Sequence, residues 1–367
     1  MQLSYSDIVR LKNIAREFNI CDGEITHVIV IDSGRINSTY KITVTGKDDT
    51  TSYMLQKINI HVFKNVYDVM DNAIRITSHL RSKGMESLEY IYTREGKVLF
   101  FDGGDVYRMT KFIHAEVFPN ITRPEDMQNL GRAVGAFAIG LGDFDANTLH
   151  DTIPNFHNTA SRYDDFLQSA IKNLLAGKNT RVRDTDEELK FIVENRSFFG
   201  IIVDALLKGE IPTRVTHNDT KINNVLFDRK TNVPRCLIDL DTVMSGSILY
   251  DLADAIRSGA NTSSEEEKDN KVVRIDLELM RGFLAGFHEV APNLLTRREI
   301  ELLPIAIKMI PFELGLRFLT DYYDGDLYFG IVNEDDNLTR ARVQFALVKD
   351  ITAKFEEITK IVNEVFA

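Results

Sequence analysis

"VTHNDTKINNVLFD", residues 215–228, sets a His, an Asp two positions on and an Asn five after that against the apolar run "VLF". An Asn or Asp in a turn commonly bonds its own backbone and closes an Asx turn. The spacing His217-x-Asp219-x-Lys221-x-x-Asn224 allows a second reading, in which a carboxylate and an amide oxygen face one point. Fifteen residues after Asn224 the apolar strand of "LIDLD" reaches Asp239, with Asp241 two positions further. Oxygen ligands in that number suit Mg2+, which is held by one or two carboxylates together with substrate phosphates. A separate Asp, not committed to metal, can orient and deprotonate a hydroxyl.

Outward from this stretch the chain changes character. Residues 24–57 read as strands, "ITHVIVID", "TYKITVTG" and "SYMLQKI", after a first helix in "MQLSYSDIVRLKNIAREF". Residues 64–83 read as a helix ending at Gly84, and "KVLFFDGGDVYRMTKFI" as a hairpin turning at Asp102–Asp105. Helical patterns then dominate at 125–143, 160–176, 186–208, 275–290, 296–323 and 338–366. "TRRE" at Thr296–Glu299 has the form of a capping box, and Asp251 is placed to cap a helix in "DLADAIRSG". "NTSSEEEKDN" at 261–270 reads as a mobile surface link. The expected class is α+β, a small β-rich part followed by a large helical one, with a cleft between them.

Bulk numbers bound the function. A length of 367 residues suits about two domains. No apolar run approaches the roughly 20 residues that span a bilayer, and the first residues lack a basic segment leading an apolar core, so neither membrane nor secretory leader is expected. Cys21 and Cys236 stand in no ligand pattern, which fits a reducing cytoplasm. A net charge of −11 argues against nucleic acid as a partner but not against a small phosphorylated ligand held by backbone amides, a few cations and a metal.

The loop resembles the H-x-D-x-x-x-x-N catalytic loop of the protein-kinase-like phosphotransferases. "IDLD" resembles the segment that replaces D-F-G in the aminoglycoside and choline kinase branch, and "SGSILYDLADAIR" that branch's "GDPxxDLA". Together with "INSTYKI", "IDLDTVMSGS" and "ELGLRFLTDYYDGDLYF", these blocks look like the bacterial N-acetylhexosamine 1-kinases, over about residues 31–348. The resemblance implies a bilobal protein-kinase-like fold, with a nucleotide lobe at 1–112 and a helical lobe with the sugar pocket at 113–367. It implies ATP and Mg2+ as cofactors, Asp219 as base, Lys221 near the γ-phosphate, and Asn224 and Asp239 as metal ligands. Asp241 is either a further metal contact or a structural acceptor. His217 braces the loop, and Asp251 holds the loop backbone as well as serving as a cap.

The remaining expectations concern the two ligands. "DSGRINSTYKI" is no G-x-G-x-x-G, but Ser33, Gly34, Asn37, Ser38 and Thr39 offer small side chains and backbone amides to ATP phosphates. Gln56 stands where protein kinases carry the strand lysine and Lys57 is next to it, and strand alternation sends only one of them to the phosphates. Adenine contacts are expected from the backbone of 109–116. Arg35, Arg317 and Tyr328 are candidates for the sugar, with a salt bridge to Glu313 or Asp321 as the plainer reading of Arg317. The expected activity is ATP-dependent phosphorylation of N-acetylglucosamine or N-acetylgalactosamine at the C1 hydroxyl, by a monomer. The alternatives are a kinase of another small hydroxyl substrate, such as a hexose, amino alcohol or aminoglycoside, and a non-catalytic nucleotide-binding relative.

Overall fold

The structure, a computed structural model, describes residues 3–31, 36–117, 121–176 and 181–367. The chain divides into two compact units, Met1–Ala115 and Glu116–Ala367. The class is α+β, as the sequence pattern predicts.

In the first unit, α1 (Tyr5–Arg16) opens on a capping box between Ser4 and Asp7. β1 (Glu24–Ile31), β2 (Ser38–Thr45) and β3 (Thr50–Ile58) follow, then α2 (Val66–Ser82), β4 (Tyr90–Ile91), β5 (Phe100–Asp102) and β6 (Asp105–Lys111). They form one antiparallel sheet in the order β1-β2-β3-β6-β4, with β5 on β6. Alternation gives the sheet two buried faces. One packs Ile42, Val44, Tyr53, Leu55 and Met109 against Leu11, Ile14 and Ala15 of α1. The other carries Thr39, Gln56 and Arg108, which are register neighbours across β2, β3 and β6. Arg108 Nη1 reaches Met70 Sδ of α2 on that side.

The second unit is helical apart from two small ribbons. Its elements are α3 (Pro124–Gly140), α4 (Thr159–Leu175), α5 (Asp186–Asn195), α6 (Ile201–Leu207), β7 (Arg214–Thr216), β8 (Val225–Phe227), β9 (Pro234–Leu237), β10 (Met244–Gly246) and α7 (Ile248–Gly259). Then come α8 (Leu277–Val290), α9 (Arg297–Asp324), α10 (Asp336–Ala353) and α11 (Phe355–Val365). α3 and α8 cross so closely that a Cβ on Gly131 would lie 2.0 Å from the Phe283 carbonyl oxygen, and one on Gly286 2.0 Å from that of Gln128. Only glycine permits that approach.

Four local expectations need correction. The pattern at 186–208 is not one helix: α5 and α6 are separated by a 3-10 turn at Arg196–Phe198. There Phe198 and Phe199 turn inward onto the Phe312 ring, at 5.3 and 5.0 Å, so aromatic packing overrides helical continuity. The last pattern breaks at Lys354, whose ammonium donates to the Ile275 carbonyl. α7 starts three residues before Asp251 and is capped by Ser247, so Asp251 is not its N-cap. The acidic segment at 261–270 is pinned rather than loose. Glu265 pairs with buried Arg257 and Glu266 with buried Arg340, each at 3.0 Å.

Candidate active site

The loop 217–224 lies between two ribbons. β7 pairs antiparallel with β10 and β8 with β9, so both ends of the loop are tied to strands. Its backbone rests on one carboxylate. Asp251 Oδ2 accepts the His217 N–H at 2.9 Å and Oδ1 the Asn218 N–H at 2.7 Å, while its own carbonyl takes the Thr220 hydroxyl. Asp251 is 0% exposed, and burial pushes its carboxyl up to about 7, against the opposite pull of those two backbone donors.

His217 is buried and its ring is fixed from both sides. Nε2 donates to the Ile238 carbonyl at 2.9 Å, and Nδ1 accepts the Asp219 N–H at 3.3 Å. That pattern defines a neutral ring, and burial accordingly holds its pKa below the ordinary histidine value. Asn218 sits at φ +63°, a left-handed conformation that Asn tolerates, and its amide donates to the Thr242 carbonyl at 2.8 Å. The turn thereby holds Asp219 without using its carboxylate.

Two donors converge on that carboxylate. Lys221 Nζ and Asn224 Nδ2 reach Asp219 Oδ2 at 2.7 and 2.8 Å, and Asn224 Nδ2 also reaches the Asp219 carbonyl. Burial works to raise the Asp219 pKa, but the Lys221 charge and hydrogen bond outweigh it and hold the group below the usual carboxylate range. Burial would lower Lys221, yet Asp219 and then Asp239 hold its ammonium above its ordinary value. Asp239, at φ +62° and ψ +57°, therefore stands within electrostatic reach of this group. Asn224 has committed its amide nitrogen, and no hydrogen bond among the described residues uses its Oδ1. An amide oxygen and a carboxylate fit a hard cation. Asp241, the other candidate ligand, is 2% exposed, and its backbone carbonyl takes the Thr152 hydroxyl.

A second cluster in the same unit surrounds Arg317. Its guanidinium lies 4.6 Å from the Phe156 ring centroid, 5.6 Å from Tyr328 and 5.5 Å from Phe329, with Nη2 3.4 Å from the Tyr328 hydroxyl. The salt-bridge reading of Arg317 fails. Glu313 is taken by His157 at 2.7 Å and Thr159 at 2.6 Å, and Asp321 accepts the N–H groups of Leu327, Tyr328 and Phe329 together with the Asn337 amide. Among the described residues no carboxylate lies within 4.0 Å of Arg317. The cluster adjoins the loop: the His157 ring packs 4.7 Å from that of Tyr250, the residue before Asp251.

In the first unit Gln56 and Lys57 point to opposite faces. Gln56 donates to Thr39 Oγ1 at 3.2 Å and accepts from Arg108 Nε at 3.0 Å. Lys57 instead pairs with Asp105 at 3.5 Å, in a group that includes Arg10. The structure therefore does not gather Lys57 with Thr39. Asn37 Oδ1 accepts the Asn59 N–H, and Ser38 is exposed beside Lys57 in register. Ser33, Gly34 and Arg35 lie outside the described residues. Arg108, 2% exposed, was not singled out from sequence, although an Arg inside the buried strand "VYRMT" is a signal, since a buried guanidinium demands partners.

The family model for the phosphotransferase enzyme family matches residues 27–297, which include the loop, Asp239 and Asp251. The chain belongs to this phosphotransferase enzyme family. Solved structures share the fold at low identity. A choline kinase from Cryptosporidium parvum is 15% identical with a TM-score of 0.63, covering 98% of this chain and 100% of that one. An aminoglycoside phosphotransferase from Alicyclobacillus acidocaldarius is 16% identical with a TM-score of 0.58, covering 94% of each chain. A spectinomycin phosphotransferase, solved with ADP and spectinomycin, is 15% identical with a TM-score of 0.56, covering 95% and 98%. The family match includes Phe156 of the second cluster and ends before Arg317 and Tyr328.

Proposed function

We propose that this phosphotransferase moves the γ-phosphoryl group of ATP to the C1 hydroxyl of an N-acetylhexosamine, N-acetylglucosamine or N-acetylgalactosamine, giving the sugar 1-phosphate in a cytoplasmic salvage reaction. The observation that carries the acceptor reading is Arg317, half-buried on three aromatic rings with no carboxylate partner. Rings and a guanidinium fork suit a pyranose, through stacking and hydrogen bonds to its oxygens.

Asp219 orients the C1 hydroxyl and takes its proton as the C1 oxygen bonds to the γ-phosphorus and the bond to the β–γ bridging oxygen breaks. ADP leaves. An anomeric hydroxyl is more acidic than other sugar hydroxyls, which suits a carboxylate whose own pKa is held low. Lys221 turns from Asp219 toward the phosphate oxygens once they arrive. Bound Mg2+ supplies charge neutralisation of the phosphates, with Asn224 Oδ1 and the Asp239 carboxylate as the oxygens to hold it. On the nucleotide side, Gln56 and Thr39 are the candidates for phosphate contact, since Lys57 is paired with Asp105 on the other face of the sheet.

The test is phosphorus NMR of the product after incubation with magnesium, ATP and each of a panel of acceptors: both N-acetylhexosamines, plain hexoses, choline and an aminoglycoside. An anomeric phosphate from an N-acetylhexosamine is expected. A phosphate ester elsewhere on the ring, or turnover only with choline or the aminoglycoside, overturns the acceptor assignment.

A further inference from the structure

Phe156 carries two guanidiniums. Besides Arg317 at 4.6 Å, the Arg162 guanidinium lies 5.9 Å from the ring centroid, and its Nε donates to the Phe156 carbonyl at 3.2 Å. The Arg162 side chain is 18% exposed, and its nearest carboxylate, Asp165, stands off at 3.6 Å and is itself mostly exposed. Arg162 is the fourth residue of α4, where the helix dipole disfavours a cation. Burial, and then the neighbouring Arg317 charge, hold its pKa below the ordinary arginine value. Two like charges are thus kept at one ring in a place that packing alone does not explain.

The charge count says what fits between them. Asp165 pairs with Arg162, and Glu313, though its oxygens are held by His157 and Thr159, still acts electrostatically on both arginines, so the positive charge here is partly offset without a further anion. What it has in excess is N–H donors, because Arg317 uses only Nη2 and Arg162 only Nε and Nη1 among the described residues. Beside these donors lie apolar ring faces. A group with a carbonyl oxygen for the donors and a methyl for the rings meets both conditions, and a hydroxyl in its place meets only half of one.

The geometry points to Arg162 as a specificity-determining residue that recognises the acetamido group of the acceptor, with Phe156 beneath the acetyl methyl. This rests on the N-acetylhexosamine reading and sharpens it. Arg162 selects the acetamido sugar over the plain hexose while Arg317 holds the ring.

The experiment compares the full chain with Arg162→Met, which keeps the stem, and Arg162→Lys, which keeps the charge. ADP release is measured with N-acetylglucosamine and with glucose, and glucose is read as a competitive inhibitor if it does not turn over. The preference for the acetamido sugar should fall roughly 20-fold in Arg162→Met, through the acceptor KM, the size expected for one lost hydrogen bond from a charged donor. Arg162→Lys should recover part of it, and the KM for ATP should stay within about twofold. Equal losses for both sugars, or an unchanged preference, overturn the assignment of Arg162 alone. Wild-type protein that phosphorylates no N-acetylhexosamine overturns the acceptor reading itself, and this inference with it, before any variant is made.

Discussion

The loop around Asp219 and the cluster around Arg317 lie in the same unit and are built on opposite plans. In the loop nearly every polar atom has a partner, and the partners are fixed: one carboxylate holds two backbone N–H groups, one neutral ring holds two more contacts, and two donors meet on Asp219 Oδ2. Around Arg317 the polar groups are under-used. A guanidinium rests on rings with donors to spare. The first arrangement is held rigid by its own partners, with Asn224 Oδ1 left over for a cation, and suits chemistry that depends on positioning. The second awaits a partner and suits recognition.

The largest break in this contrast comes from Asp219→Asn. Loss of the base should lower kcat by about 10^3-fold, within the range for general-base catalysis, with acceptor KM little changed and the melting temperature lowered, because Lys221 loses its charged partner. Lys221→Met comes next. Lys221 keeps the Asp219 carboxyl below its usual range, so in the wild type the base stays ionised through neutral and mildly acid pH. The acid limb of kcat/KM should therefore move to higher pH in Lys221→Met, alongside a fall in kcat. The stability linkage has the same sign: a depressed carboxylate pKa stabilises the fold above the unfolded value, and that contribution disappears as pH falls through the folded one. An acid limb that stays in place would show that Lys221 does not tune the base.

Asp251→Ala should act on stability first. It leaves the His217 and Asn218 N–H groups buried without acceptors, at a cost of about 2–4 kcal/mol, measured by urea denaturation. The wild type also carries a pH signature at this position. With the folded carboxyl near 7 and the unfolded one near 3.8, the native state binds the extra proton between those values. The Asp251 contribution therefore weakens as pH rises across that window. Asp251→Asn removes that slope, and a slope that survives it belongs to another group.

These two plans explain what the sequence made legible. The loop could be read because its parts are contiguous: His217, Asp219, Lys221 and Asn224 fall within eight residues, and Asp239 and Asp251 follow within one family-length segment. The capping box at Thr296–Glu299 was readable for the same reason, being a four-residue pattern with a local mechanism. Phe156 and Arg162 were not readable. They meet Arg317 from segments more than 150 positions away, and an aromatic residue or an Arg at a helix start looks like ordinary packing until the fold joins them. The division of Gln56 from Lys57 shows the intermediate case. Alternation along β3 predicted that they separate, but only the sheet's neighbours, Arg108 on one side and Asp105 on the other, say which residue goes where.

The smallest change is expected from Arg317→Met, and it bears on the contrast most directly. The variant removes a guanidinium that has no carboxylate partner and leaves a stem that still packs on Phe156, so unfolding free energy should shift by no more than about 0.5–1 kcal/mol, the scale of a partly exposed cation–π contact. Acceptor KM should rise roughly 10-fold, while kcat at saturating acceptor and the KM for ATP stay close to wild type. Each departure has a distinct meaning. A loss of several kcal/mol in stability would make Arg317 part of the structural frame, like Asp251. A fall in kcat at unchanged acceptor KM would place it with Asp219, where interactions count only in the transition state. A change confined to KM keeps the two clusters apart, one positioning the reacting groups and the other choosing what is positioned.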